Sequence, residues 1–133
     1  DYTFAPANCD ERDVAPEITQ NIHGLLGADK GYLRPELKKY YDLQSVDLQT
    51  PFRKNMVDHR PKEAMRILMN ARRKIETVIG QLTVQFNIQK VRARELWHLS
   101  HRITRKILSH TISVVLNSQL GNPPLQLENL IKS

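Results

Sequence analysis

Between Ala64 and Phe86 the apolar residues Ala64, Leu68, Ala71, Ile75, Val78, Leu82 and Phe86 recur at steps of three or four. That period belongs to the α-helix. It predicts a long helix from about Lys62 to Phe86 with one continuous buried stripe. A second long helix is expected from about Ala93 to Leu120. Leu96, Leu99, Ile103, Ile107 and Val114 mark its stripe, and Gly121 followed by Pro123-Pro124 stops it. Two helices of this length claim much of a 133-residue chain, so any sheet must come from the first 50 or so residues.

Those residues read as alternating strands and helices. Tyr2 to Ala5 alternate and then meet Pro6, as a strand end would. Asp10 or Asp13 can cap a helix running to about Ile22, with Val14, Ile18 and Ile22 four apart. The run Gly24-Leu25-Leu26-Gly27-Ala28-Asp29 lacks polar alternation and predicts a strand buried on both faces. Lys30-Gly31-Tyr32 turns the chain. Pro35 opens a helix to about Tyr41, and Val46, Leu48 and Thr50 alternate with polar residues as a strand that Pro51 ends. Residues 52–61 read as a charged loop. The order predicts an α/β fold, with a sheet of about three strands packed by helices and followed by the two long helices. One domain is expected over residues 1–125, with 126–133 a loose tail.

Charge is unevenly spread. The net charge is +6, yet residues 1–52 carry five Lys/Arg against nine Asp/Glu, and residues 53–106 carry fourteen against four. A basic block lying within helices suits a polyanion. Arg53 and Lys54 flank the loop after the last strand, and Arg72 and Arg73 follow on the first long helix. Arg92 and Arg94 lead into the second, and Arg102, Arg105 and Lys106 continue along it. Such groups neutralise phosphates without reading sequence. No apolar run approaches the roughly 20 residues that span a bilayer. The single cysteine, Cys9, excludes an internal disulfide or a cysteine-based zinc site and suits a reducing cytoplasm. The start of the chain has no initiator Met and no basic leader, so it is expected to begin partway through a gene.

Two acids could carry chemistry. Asp29 should stand at the C-terminal end of a strand, the edge at which open α/β sheets bind ligands, and could hold a divalent cation. It could equally be a turn-capping Asp. Glu76 lies mid-helix with Arg72 four and Arg73 three residues before it, and with Gly80 four residues after it. It could equally be one half of a surface ion pair. His98 and His101 read as solvated or phosphate-facing, because no third zinc ligand stands nearby. Trp97, beside the apolar stripe, reads as packed in a core or on a partner in preference to stacking on a base. Phosphate loops, dinucleotide glycine patterns and nucleophile elbows are absent.

Several stretches together resemble the DDE transposases of bacterial insertion sequences. They are Pro6-Ala7-Asn8 with Asp10, Gly27-Ala28-Asp29-Lys30-Gly31-Tyr32, Thr50-Pro51-Phe52-Arg53-Lys54-Asn55, Arg72-Arg73-Lys74-Ile75-Glu76-Thr77-Val78 with Gln81-Leu82 and Phe86, and Val91 to Trp97. The likeness spans residues 5 to about 125. It departs at Met69 and Thr83, where the wider family often has Tyr and Lys.

The resemblance implies the C-terminal part of a ribonuclease-H-like catalytic domain, incomplete because the first strands and the first catalytic Asp lie upstream. Asp29 and Glu76 would be the second and third acids and would bind metal, two Mg²⁺ (or Mn²⁺) ions in the complete domain. Those ions would serve phosphodiester cleavage and strand transfer. Lys30, Arg53, Lys54, Arg72, Arg73, Arg92, Arg94, Arg102 and Arg105 would contact DNA. The partners would be transposon-end and target DNA, with a homo-oligomer allowed and no membrane or small-molecule substrate, in a cytoplasmic, nucleoid-associated setting. The fragment alone would be inactive. Two other readings stay open: a non-catalytic nucleic-acid-binding module using the basic helices, and a helical fragment whose stripe from Leu96 to Val114 packs on a partner chain.

Overall fold

A computed structural model describes residues 2–51 and 59–130. They form two compact units, Asp1–Ala71 and Arg72–Ser133. The first holds α1 (Glu11–Ile18), β1 (Gly24–Gly27), α2 (Pro35–Leu43), β2 (Val46–Gln49) and the start of α3 (Lys62–Val84). The second holds the rest of α3, then α4 (Leu96–Gln119) and a 3-10 turn at Leu127–Leu130.

Helix α1 starts where Asp10 caps it. The Asp10 carboxylate accepts the Arg12 backbone N–H at 2.9 Å, and Glu11 and Asp13 in the first turn suit the positive end of the helix dipole. The helix ends at Ile18, short of the expected Ile22. Pro16 removes one backbone donor, and Thr19 and Asn21 are weak helix formers. Thr19 Oγ1 instead lies 2.8 Å from the Ala15 carbonyl and 2.9 Å from the Tyr41 hydroxyl.

The sheet is one parallel pair, with Gly24 opposite Val46 and Gly27 opposite Gln49. Parallel neighbours need a crossover, and α2, begun by Pro35, supplies it. Val46 and Leu48 face inward while Asp47 faces out, the alternation that the sequence predicts. They pack against Leu37 and Tyr41 of α2, with Leu26, Ala28, Tyr32 and Tyr40 around them. Tyr41 is 1% exposed. Each such side chain contributes roughly 1.5–3 kcal/mol by leaving water.

Three expectations for this unit are corrected. Among the described residues there are two strands, not three. Residues 2–5 belong to neither strand of the sheet, and Tyr2 and Phe4 meet edge to face at 5.8 Å. The run from Gly24 is strand only to Gly27, and it is not buried on both faces. Leu26 meets α2, but Leu25, in register with Asp47, is 56% exposed. An apolar pair of residues shows that a strand can be covered twice; coverage depends on a second layer, and here α2 covers one face. On the other face, a Cβ at Gly27 would lie 3.8 Å from the Leu68 side chain, so α3 makes only a local approach.

In the second unit both long helices form, as the period predicts. The stripe of α3 is not continuously buried, however: Ile75 is 53% exposed, while Gln81 is buried. Helix α4 ends in a Schellman turn. Asn122 N–H reaches the Asn117 carbonyl at 3.1 Å and Gly121 N–H the Ser118 carbonyl at 3.0 Å. Gly121 takes φ +78°, a conformation that glycine adopts without strain. The residues that follow are not loose. Leu127 is buried, and the carbonyls of Leu125 and Gln126 are held by Gln81 and Asn117.

A buried polar relay ties these parts together. Gln81 Nε2 donates to the Leu125 carbonyl at 2.6 Å, which leaves Gln81 Oε1 to accept from His110 Nε2–H at 2.9 Å. The Phe86 ring lies edge to face with His110 at 5.4 Å. Burial pushes the His110 pKa below its ordinary 6.5, because it disfavours the charged ring. A histidine whose folded pKa is lowered leaves stability intact above pH 6.5 and erodes it as pH falls below that value. Urea midpoints for the second unit should therefore decline between about pH 6.5 and 5. His110→Gln should flatten that decline, and a decline that persisted unchanged in the variant would refute the assignment.

Candidate catalytic and nucleic-acid site

Asp29 stands two residues past the end of β1. The Ala28 N–H still bonds to the Gln49 carbonyl at 2.9 Å, so the pairing with β2 delivers Asp29 to the carboxyl edge of the sheet. There it is exposed, and its Oδ1 accepts the Lys30 backbone N–H at 2.7 Å as it caps the turn Lys30–Tyr32. The capping role is thus real, and it fixes the carboxylate beside Lys30 while leaving an oxygen toward solvent.

Glu76 belongs to the second unit, on an exposed face of α3. Its Oε1 accepts from Arg72 Nε at 2.9 Å. The spacing of four places both on one helix face, and at their exposure the pair adds only a few tenths of a kcal/mol. Arg73 lies beside them on α3, where its carbonyl accepts from Thr77 Oγ1 at 2.9 Å. A Cβ at Gly80 would meet nothing within 4 Å, so the helix face after Glu76 is open.

The remaining basic residues divide by task. Arg53 and Lys54 lie outside the described residues. Arg102 Nη1 donates to the Arg92 carbonyl, and Lys106 Nζ to the Phe86 carbonyl at 2.6 Å. These two cations therefore fasten the segment that joins α3 to α4, and half-buried Lys106 serves the fold where phosphate neutralisation was expected. Arg94 and Arg105 are exposed. Trp97 is not packed in a core of this chain: it is 67% exposed. His101 stacks on it, with centroids 5.3 Å apart and planes 14° apart, and His98 meets it edge on at 5.1 Å.

Sequence reasoning passed over Gln81, His110 and Asn117. A signal for them existed. His110 and Asn117 continue the run Ile103, Ile107, Val114 at steps of three and four, so each is a polar residue on an apolar stripe. It also passed over the pairs that surround the cap of α1. Arg34 reaches Asp13 at 2.9 Å and Asp10 at 3.3 Å. The Arg12 side chain and backbone N–H, with Arg34 nearby, hold the Asp10 carboxyl well below the usual carboxylate range.

Asp29 and Glu76 are hard oxygen donors of the kind that Mg²⁺ takes. Two neighbouring dications need about three or more anionic ligands, and among the described residues no group of three His, Cys, Asp or Glu side chains could hold an ion. These donors therefore fall short of a two-ion centre. Among the same residues, no helix is long and apolar enough to cross a membrane.

A family model described as transposase DDE domain matches residues 1–96. The match includes Asp29, Lys30, Arg72, Arg73 and Glu76, and stops at the first residue of α4. No curated protein and no solved structure matches the chain.

Proposed function

Because the chain belongs to the transposase DDE domain family, we propose that it forms part of a DNA transposase that cuts DNA strands and joins them to a target, with Asp29 and Glu76 as two of its catalytic acids. The span of the family match carries this reading, since it contains both carboxylates. The position of Asp29 at the carboxyl edge of a parallel pair and the exposure of Glu76 support it. In this proposal both acids serve a ribonuclease-H-like catalytic domain. A further acid, beyond these two, completes a site for Mg²⁺ or Mn²⁺, which in such chemistry supplies an activated oxygen nucleophile and stabilises the leaving oxygen.

The proposal assigns roles to the chain's own residues as well. Arg72 holds Glu76 in a fixed rotamer. Lys30, Arg53, Lys54, Arg73, Arg92, Arg94, Arg102 and Arg105 hold phosphates of transposon-end and target DNA without reading base sequence.

The test uses the longest open reading frame that contains these residues, expressed whole. It should nick a supercoiled plasmid carrying the transposon ends only with Mg²⁺ or Mn²⁺ present. Nicking that persists in chelator would overturn the proposal.

A second reading, a nucleic-acid-binding module without catalysis, is favoured by the lack of a three-acid group among the described residues. Under it, Asp29→Asn with Glu76→Gln leaves DNA affinity unchanged or raised, and the whole reading frame never nicks DNA under any divalent ion.

A further inference from the structure

The start of α4 carries an aromatic surface that the catalytic reading does not use. Trp97 is two-thirds exposed, an unusual state for a side chain that gains so much by leaving water. It is nonetheless held in place, because the His101 imidazole one turn later lies nearly parallel to the indole. Arg105 stands one turn beyond His101, and Arg94 lies just before the helix. Residues 97, 101 and 105 thus form one ridge of i, i+4 neighbours that runs from aromatic to cationic.

The neighbours decide what such a ring can accept. An apolar protein partner covering Trp97 would have to desolvate the flanking cations and histidines, at a cost that aliphatic contacts do not repay. A nucleic acid brings its own counter-charges: phosphates meet Arg94 and Arg105 while a base covers the indole. In duplex DNA the base faces are already stacked on one another, so a side-chain ring can be covered only by an unpaired base.

We propose that Trp97, supported by His101, is a stacking platform for an unpaired base of single-stranded DNA, with Arg94 and Arg105 on the adjoining phosphates. The proposal rests on the reading of the chain as a DNA-handling protein and adds to it a strand-selective site on α4, outside the helix that bears Glu76.

The chain reports on this site directly, because Trp97 is its only tryptophan. Intrinsic fluorescence of residues 1–133 is followed during titration with a fluorescently labelled oligothymidine of about 12 nucleotides and, separately, with a duplex of equal length, while anisotropy of the label measures binding. The oligothymidine should quench the tryptophan saturably and the duplex should not. Trp97→Ala should weaken oligothymidine binding about 5- to 100-fold, the range expected for one lost base–aromatic stack, and leave duplex binding within about twofold. Trp97→Phe should restore part of the loss, and His101→Ala should give a smaller loss than Trp97→Ala. The indole is exposed, so circular dichroism should be unchanged in the variants.

Binding of both DNAs without quenching, or equal loss of both in Trp97→Ala, would overturn the stacking site and leave the DNA reading standing. Failure of both DNAs to bind in low salt would remove the two together. Quenching that appears only on self-association, and follows protein concentration alone, would assign the ring to a second copy and overturn the proposal.

Discussion

Glu76→Gln, made in the longest open reading frame that contains this chain, is expected to lower plasmid nicking at least about a thousandfold, roughly 4 kcal/mol of barrier. The substitution keeps the shape of the side chain and removes its charge, so it isolates the anionic oxygen as the functional element. Stability cannot account for such a loss. Glu76 is exposed, it pairs with Arg72 at 2.9 Å, and an exposed i, i+4 pair contributes a few tenths of a kcal/mol. Glutamine also propagates a helix about as well as glutamate. Denaturation midpoints should thus match within error while activity disappears. Asp29→Asn should behave alike, since an amide oxygen can still cap the turn at Lys30. Nicking that survives either change within a factor of about ten would show that the acid is no part of the reaction centre.

The largest structural effect is expected at Asn117. Its side chain is 0% exposed. Its Nδ2 donates to the carbonyls of Pro123 and Gln126 at 2.8 and 3.0 Å, with Pro124 at 3.4 Å, and its Oδ1 accepts from Asn122 at 3.2 Å. Leucine at this position removes those donations, at roughly 1–3 kcal/mol for each carbonyl left without a partner, while the Pro123 carbonyl keeps the Gln126 N–H at 2.9 Å. The segment must then either tolerate the loss or lift away and take Leu127 with it. A fall of about 2–4 kcal/mol is expected for the second unit, with fast amide exchange over residues 121–130. Asn117→Asp should be at least as severe, because it turns a carboxylate toward carbonyl oxygens. Unchanged exchange in both variants would mean that the Schellman turn and the Gln81 bond to Leu125 anchor the segment without Asn117.

What the sequence revealed depended on how local the cause was. The helical period of α3 and α4, the stop at Gly121-Asn122-Pro123-Pro124, the Asp10 cap and the alternation of β2 are set by neighbours within a few residues, and each was legible. Coverage was not. The Leu25-Leu26 run and the stripe through Ile75 say which face could be buried, but what lies over that face depends on residues distant in sequence. The same limit explains Trp97, whose place next to an apolar stripe is compatible with either environment.

The candidate site was legible as a pattern, in the order Asp29, Arg72, Glu76, and the family match spans that pattern. Lys106 shows the opposite case: a lysine in a basic run gives no hint that a carbonyl of the preceding connection will claim it. Asn117 and His110 were visible only as interruptions of a stripe, and such an interruption does not name its partner.

The parallel pairing of β1 with β2 has a kinetic consequence. Gly24 and Val46 are neighbours across the sheet, so the crossover closes over little more than twenty residues. That is a short loop for a parallel ladder, whose partners are often far apart in sequence. The nucleus made by α2 and the two strands therefore lies wholly within the first fifty residues and needs nothing from α3 or α4. On the ribosome it should assemble while the helices that carry Glu76 and Trp97 are still being synthesised, with Asp29 already at the sheet edge.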